Sequence, residues 1–290
     1  MSRTLFSFGH GYSAQALSAK LIPDGWTVFG TTRQAEKAQQ FKADGVVPHL
    51  LPDDDIMEDL RSASHLLISA GPDADGDPMI GMLGDQLVRM EFEWIGYLST
   101  TGVYGDHNGG WVDETTPLEP TTTRGKHRVL AEQQWTDLAE RFGFTLHIFR
   151  LAGIYGPGRG PFSKVRSGTA RRIIKENQVF SRIHVEDIAR VLSGSIRHPN
   201  PGAIYNVCDD LAAPPQDVIA YAAELLGMPV PPAEAFENAE MSPMARSFYA
   251  ESKRVRNDRI KEELGITLAY PDYKSGLSDL LLRMGQDASP

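Results

Sequence analysis

Short apolar runs that end on glycine or small polar residues alternate with longer stretches whose apolar positions recur every three or four residues. The short runs predict strands at 5–8, 27–31, 46–50, 65–69, 94–99 and 144–151, and the longer stretches predict helices at about 12–22, 35–43, 79–91 and 126–142. In the last of these, Ala131, Trp135, Leu138 and Phe142 fall on one helical face. Strand and helix in strict alternation predict a doubly wound parallel sheet with helices on both faces. After residue 208 the rhythm changes. Pro214, Pro215, Pro229, Pro231 and Pro232 punctuate helical pieces, and a smaller, mostly helical C-terminal part is expected over 209–290.

Composition narrows the function. The chain has 290 residues, 41% hydrophobic and 23% charged, with a net charge of -9. Nucleic acid and anionic membrane both call for a positive field, so neither is expected as the main partner. The one cysteine, Cys208, allows no internal disulfide and reads as a small buried residue. It fits a reducing, cytoplasmic setting. The first residues show no signal-peptide pattern, and no apolar run reaches membrane-spanning length. No metal-ligand spacing is present, so no metal is expected.

The first strand runs into FSFGHGYSAQAL, which sets Gly9, Gly11 and Ala14 in a G-x-G-x-x-A pattern at the opening of a helix. The first glycine permits a tight turn, and the second lets backbone N–H groups approach a pyrophosphate. The third small residue lets helix and strand pack closely. A dinucleotide site at Gly9, Gly11, Tyr12 and Ala14 is the expectation; a purely structural turn is the alternative. The second strand ends in VFGTTRQ, with Thr31, Thr32 and Arg33 where an acidic residue would serve the ribose of NAD. A guanidinium there suits a 2′-phosphate, so NADP is expected over NAD, against the alternative that Arg33 is simply solvated.

The middle of the chain carries a resemblance. YLSTTGVYGDHNGGWVDE (97–114), RLAGIYGPGRGPF (150–162), FSRIHVEDIA (180–189) and IYNVCDD (204–210) resemble, in order and spacing, segments of the extended short-chain dehydrogenases/reductases, the family of the NAD-dependent epimerases and dehydratases. With the glycine loop the resemblance covers nearly all of residues 4–210. The stretch MSPMARSFYAESKRVRN (241–257) looks like an atypical branch. The resemblance implies a Rossmann NAD(P)-binding domain over 1–208, with a substrate-contacting insert near 155–178, and a substrate-binding part after it. It also implies a small-molecule substrate, and a homodimer through helices such as 79–91 and 126–142.

The family's catalytic groups are a Ser/Thr and a Tyr-x-x-x-Lys dyad on the following helix. Anchored on Glu132 in PTTTRGKHRVLAEQQW, the resemblance puts the Ser/Thr at Thr100, the tyrosine position at Arg124 and the lysine position at Arg128. No tyrosine lies between 105 and 154, so no shift of register restores the dyad. A guanidinium stays protonated and has no acceptor lone pair, so position 124 offers no general base and the usual hydroxyl oxidation is in doubt. Arg128 retains donors for ribose hydroxyls. Four residues apart on one helical face, the arginines either hold a ligand's anionic group or form a structural pair with Glu132 neutralising Arg128. Tyr104 is either a substitute acid or a packing residue. His127 is expected on another face of the helix. Arg159, with Lys164, Arg166, Arg171 and Arg172, lies where an anionic substrate would be met, with a solvated face as the alternative. His184 is expected at a strand-to-helix junction near the substrate, with Asp187 as a capping residue. Two functions remain open: an atypical NAD(P)-dependent epimerase, dehydratase or reductase, and a non-catalytic NAD(P)-binding sensor or regulatory protein.

Overall fold

The computed structural model describes residues 3–286. Its centre is one sheet of seven parallel strands: β1 (Thr4–Phe8), β2 (Thr27–Thr32), β3 (Val47–Leu50), β4 (His65–Ile68), β5 (Trp94–Thr100), β6 (Leu146–Leu151) and β7 (Ile204–Val207). Their order across the sheet is β7-β6-β5-β4-β1-β2-β3. Successive residues of a strand point to opposite faces, and here both faces are buried. Leu5, Leu67, Trp94 and Phe149 enter one apolar cluster, while Phe6, Leu66, Ile95 and Ile148 enter the other. Near-continuous apolar strands are what a sheet covered on both sides requires.

Helix α1 (Tyr12–Leu21) packs against α4 (Val185–Arg197) on the first face. Helix α2 (Ala35–Ala43) joins β2 to β3. Helix α3 (Thr123–Phe142) covers the second face with Ala131 and Trp135. It begins three residues before the predicted 126, because the Thr122 hydroxyl accepts from Gly125 N–H and caps the helix (3.1 Å). Phe142 departs from the predicted apolar face. It sits beside the Gly143 C-cap, which adopts φ 73°, and is 38% exposed.

The helix expected over 79–91 is a correction. Only Pro78–Leu83 is α-helical, and Gly84–Arg89 is a tighter 3₁₀ segment. Gly84 turns the backbone to φ 44°, which breaks the helical ladder, while Leu87 and Met90 still reach the core.

Beyond β7, helices α5 (Pro215–Leu225) and α6 (Tyr273–Gln286) build a third cluster with Tyr155, Phe162 and Val165. The chain between them returns to the sheet domain. Ala233–Ala235 pairs with Arg172–Ile174, and Arg254–Val255 pairs with Trp111–Val112. Ile260, Leu264, Ile266 and Leu268 then enter the first cluster beneath the sheet. Among the described residues no helix is long and apolar enough to cross a membrane, and no cluster of three or more His, Cys, Asp or Glu side chains could hold a metal ion.

Candidate functional site

The chain reverses its direction across the sheet between β1 and β4, and the crevice at their carboxyl ends is where open α/β sheets bind ligands. Gly9 leaves β1 at φ 80°, and a Cβ there would stand 2.7 Å from the backbone nitrogen of Ala70, just past β4. The Ser69 hydroxyl donates to the Gly9 carbonyl, and Gly9 N–H donates to the Thr31 hydroxyl (2.7 Å). The loop is thereby tied to the ends of both neighbouring strands. Gly11 is the N-cap of α1, and no side chain caps it. The amide groups of the first turn therefore face the crevice, a natural anion site. Ala14 is fully buried against the sheet. His10 fills the space over Gly30, where a Cβ would come within 2.8 Å of its ring, and burial brings its pKa down to about 4. Thr32 accepts from Gln34 N–H, and Arg33 stands exposed just beyond β2. The steric cradle fits a dinucleotide.

From this crevice a cavity of about 1690 Å³ extends over the ends of β5 and β6. Thr100, Arg124, Arg128, Arg159, Tyr12 and Gly11 all line it. Gly125 sets the spacing: a Cβ there would meet the Gly102 carbonyl at 2.9 Å, so only glycine lets α3 pack this closely on the turn after Thr100. Thr100 Oγ1 accepts from Gly102 N–H (3.2 Å). Arg128 is half-buried, and its Nη1 donates to the Leu98 carbonyl (2.7 Å) and to the hydroxyl oxygen of the buried Tyr97 (3.1 Å). Arg124 is exposed and lies over the Phe248 ring, 5.5 Å from its centroid.

Several expectations change here. Glu132 does not neutralise Arg128. Its carboxylate takes a bidentate pair from Arg150 (2.8 Å) and a hydrogen bond from Ser99 (2.5 Å), all buried beneath the cavity floor. Tyr104 is a packing residue. It is fully buried, donates to Asn206 (2.7 Å) and accepts from Arg150 (3.0 Å); burial pushes its pKa up to about 12. His127 does line the cavity, because three residues along a helix is the same face as Arg124. His184 is fully buried behind Tyr155 and is not among the cavity-lining residues. Its Nδ1 accepts from Glu186 N–H (3.3 Å), so His184 itself caps α4, and burial lowers its pKa to about 4. Asp187 instead accepts from the backbone of Ala269 and Tyr270 (2.8 and 2.9 Å), pinning the returning chain.

The basic residues after 158 divide. Arg159 lies over the Tyr12 ring (5.8 Å), and Lys164 also lines the cavity. Arg171 lines it too but is held bidentately by Glu234, and Arg172 donates to the Pro231 carbonyl (3.0 Å). Arg166 is exposed away from the cavity lining. Cys208 is buried, and its thiol donates to the Val255 carbonyl (3.2 Å); burial raises its pKa.

Within the C-terminal part expected to bind substrate, residues 240–255 supply a wall of the cavity, which no motif in the sequence had singled out. Lys253, 8% exposed, donates to Glu251 (2.8 Å) and to the Gly105 carbonyl (2.6 Å), and Thr121 donates to the same carboxylate (2.8 Å). The buried pair fastens this segment to the turn after Thr100 and to the start of α3. The SFYAESK stretch was the only available signal, and nothing local in it points to a cavity.

Comparison with known proteins agrees with this architecture. Residues 85–208 match the model of the NAD dependent epimerase/dehydratase family. Protein YeeZ of Escherichia coli K12 is 32% identical over 279 residues, covering 91% of this chain and 95% of its own length. The chain belongs to the NAD-dependent epimerase/dehydratase family. A conserved protein of unknown function from Silicibacter pomeroyi is 58% identical, with a TM-score of 0.92 over 98% of this chain and 99% of its own. A Bacillus cereus UDP-glucuronic acid 4-epimerase, solved in complex with NAD, has a TM-score of 0.75 over 97% of this chain and 99% of its own. Its identity is 15%, so that likeness is one of fold. In this member Arg124 and Arg128 lie on α3, in the part of the helix that lines the cavity.

Proposed function

We propose that this epimerase/dehydratase-family protein binds NAD(P) at the Gly9–Ala14 loop and acts on a small, anionic substrate in the adjoining cavity, as an atypical epimerase, dehydratase or reductase. The observation that carries the reading is the continuity of the glycine loop, Thr100 and the α3 arginines along one cavity. The pyrophosphate of the cofactor would rest on the uncapped start of α1. Arg33, free of any ion pair among the described residues, favours NADP over NAD. The bound nicotinamide would supply hydride chemistry. Thr100 offers a hydroxyl to the substrate; proton exchange falls to water or to a cavity group other than Arg124. The cytoplasm, where NADP is plentiful and thiols stay reduced, is the proposed location.

A second reading has its own support. Tyr12 and Tyr155 are phenols of the cavity wall, but their hydroxyls donate to the Pro157 and Asp272 carbonyls (2.9 and 3.2 Å). Burial raises both pKa values. Tyr249, the third tyrosine of the cavity lining, is likewise pushed up by burial, and none of the three lies on α3 where the dyad is expected. A non-catalytic NAD(P) sensor is therefore the alternative.

Calorimetric titration of nucleotide-free protein with NADP+, NADPH, NAD+ and NADH tests the proposal. Tight binding that favours the phosphorylated forms is expected. Equal binding of both pairs would remove Arg33 from the site, and no binding by any of the four would defeat both readings. With the cofactor site established, turnover of an anionic carbonyl or hydroxyl compound, read by nicotinamide absorbance, separates enzyme from sensor.

A further inference from the structure

We propose that Arg124 and Arg128 form a binding subsite for a carboxylate or phosphate group of the substrate, deepening the reading of this cavity given above. Four features of the molecule converge on it. The two guanidinium groups lie one turn apart on the face of α3 that lines the cavity, and like charges so placed repel. They also sit at the positive end of the helix macrodipole, and the first turn of this 20-residue helix holds no acidic residue. Cations at that end oppose the dipole and weaken the fold. An anion between the arginines turns both penalties into attractions.

No protein carboxylate forms an ion pair with either arginine among the described residues, although buried Asp77 lies near enough to feel the charge of Arg128. Glu132, the nearest acid along the helix, is consumed by Arg150 and Ser99. Glu251, across the cavity, is consumed by Lys253 and Thr121. Neither Arg124 nor Arg128 takes part in any ion pair among the described residues. In contrast, Arg171 at the far side of the same cavity is fully paired with Glu234.

The arginines are held for binding. The two bonds from Arg128 Nη1 fix its plane and leave Nε and Nη2 without a hydrogen-bond partner among the described residues. Arg124 rests on the face of Phe248 and spends no N–H on the protein among the described residues. Two partly free forks, one rigid and one guided by an aromatic face, match the paired oxygens of a carboxylate or phosphate.

The test is calorimetric titration with inorganic phosphate and with malonate at constant ionic strength, with and without saturating NADP+. Wild type is expected to bind at least one of them in both conditions. Arg124→Ala is expected to weaken that binding about tenfold or more, with Arg124→Lys between the two. Thermal midpoints without added anion give a readout that separates a structural role: Arg124→Ala should match or exceed wild type. Unchanged anion affinity in Arg124→Ala, or no binding by wild type, overturns the proposal. Loss of anion binding on saturation with NADP+ also overturns it, because the pair then serves the cofactor. Titrating the same proteins with NADP+ keeps the two readings apart: intact nucleotide binding beside failed anion binding rejects this subsite alone.

Discussion

The two ends of the ligand crevice are built on different principles. At the glycine loop the requirements are steric and local. Gly9 needs φ 80° and room against Ala70, Gly30 needs room for His10, and Ala14 needs to vanish into the sheet. At α3 the requirements are electrostatic and distant. Arg128 depends on Tyr97 and Leu98, Arg124 depends on Phe248, and the helix is anchored from below by the Glu132–Arg150 pair. A steric site tolerates almost no change of residue size. An electrostatic site keeps its fold while its chemistry is rewritten.

Four substitutions or conditions press on this contrast. The largest effect is expected from Glu132→Ala, which strands the Arg150 guanidinium among buried neighbours; chemical denaturation should show a loss of about 3–5 kcal/mol. If the loss is below about 1 kcal/mol, α3 is not anchored from below. Next, Gly9→Val forces a branched side chain into positive φ and against the Ala70 backbone, and a cost of about 2–4 kcal/mol with loss of nucleotide binding is expected. Retained NADP+ affinity in that variant would mean the crevice is not steric in the sense argued here.

The third concerns acid. Burial lowers the pKa of His10, His147 and His184 from 6.5 to about 4, so each is neutral in the fold and protonates more readily in the unfolded chain. With depressed folded-state values, their contribution is fully present above pH 6.5 and is lost as pH falls towards 4. Buried carboxyls with raised pKa values, Asp209 foremost, act in the opposite sense, so the histidine part is read by difference: His184→Gln should lose less of its thermal midpoint between pH 6.5 and 4 than wild type. The same slope in both proteins would contradict the burial of that ring. The smallest effect is expected from Arg33→Ala, which should leave stability within about 0.5 kcal/mol while reducing the preference for NADP+ over NAD+ about tenfold.

The same contrast governs what could be read from the sequence. All six strands inferred from apolar runs exist within two residues of their expected limits, because a sheet buried on both faces writes itself as continuous apolar segments. The glycine loop was legible for a similar reason: small residues at fixed spacing have a local cause. The helix at 79–91 misled because Leu87 and Met90 keep their apolar rhythm through the 3₁₀ turn after Gly84. His127 joins the cavity face, against expectation, because a step of three along a helix returns to the same side as Arg124. Of the two alternatives for the arginine pair, neutralisation by Glu132 falls away because its partner, Arg150, comes from β6 and is 18 residues away. The C-terminal part was expected at the substrate, but its wall at 240–255 could not be singled out, because short polar pieces between prolines have meaning only against Gly105, Thr121 and Arg124.

The return of the chain after Arg254 has a bearing on how the protein comes into being on the ribosome. Trp111–Val112 waits for Arg254–Val255, and the cluster holding α1 waits for Ile260 through Leu268. During synthesis the glycine loop emerges well before residues 254–268, so the apolar face beneath it stays uncovered until those residues leave the exit tunnel. Nascent chains arrested short of residue 268 should therefore be clients of chaperones that shield apolar surface, while those released beyond it close the core and the cavity wall in one event.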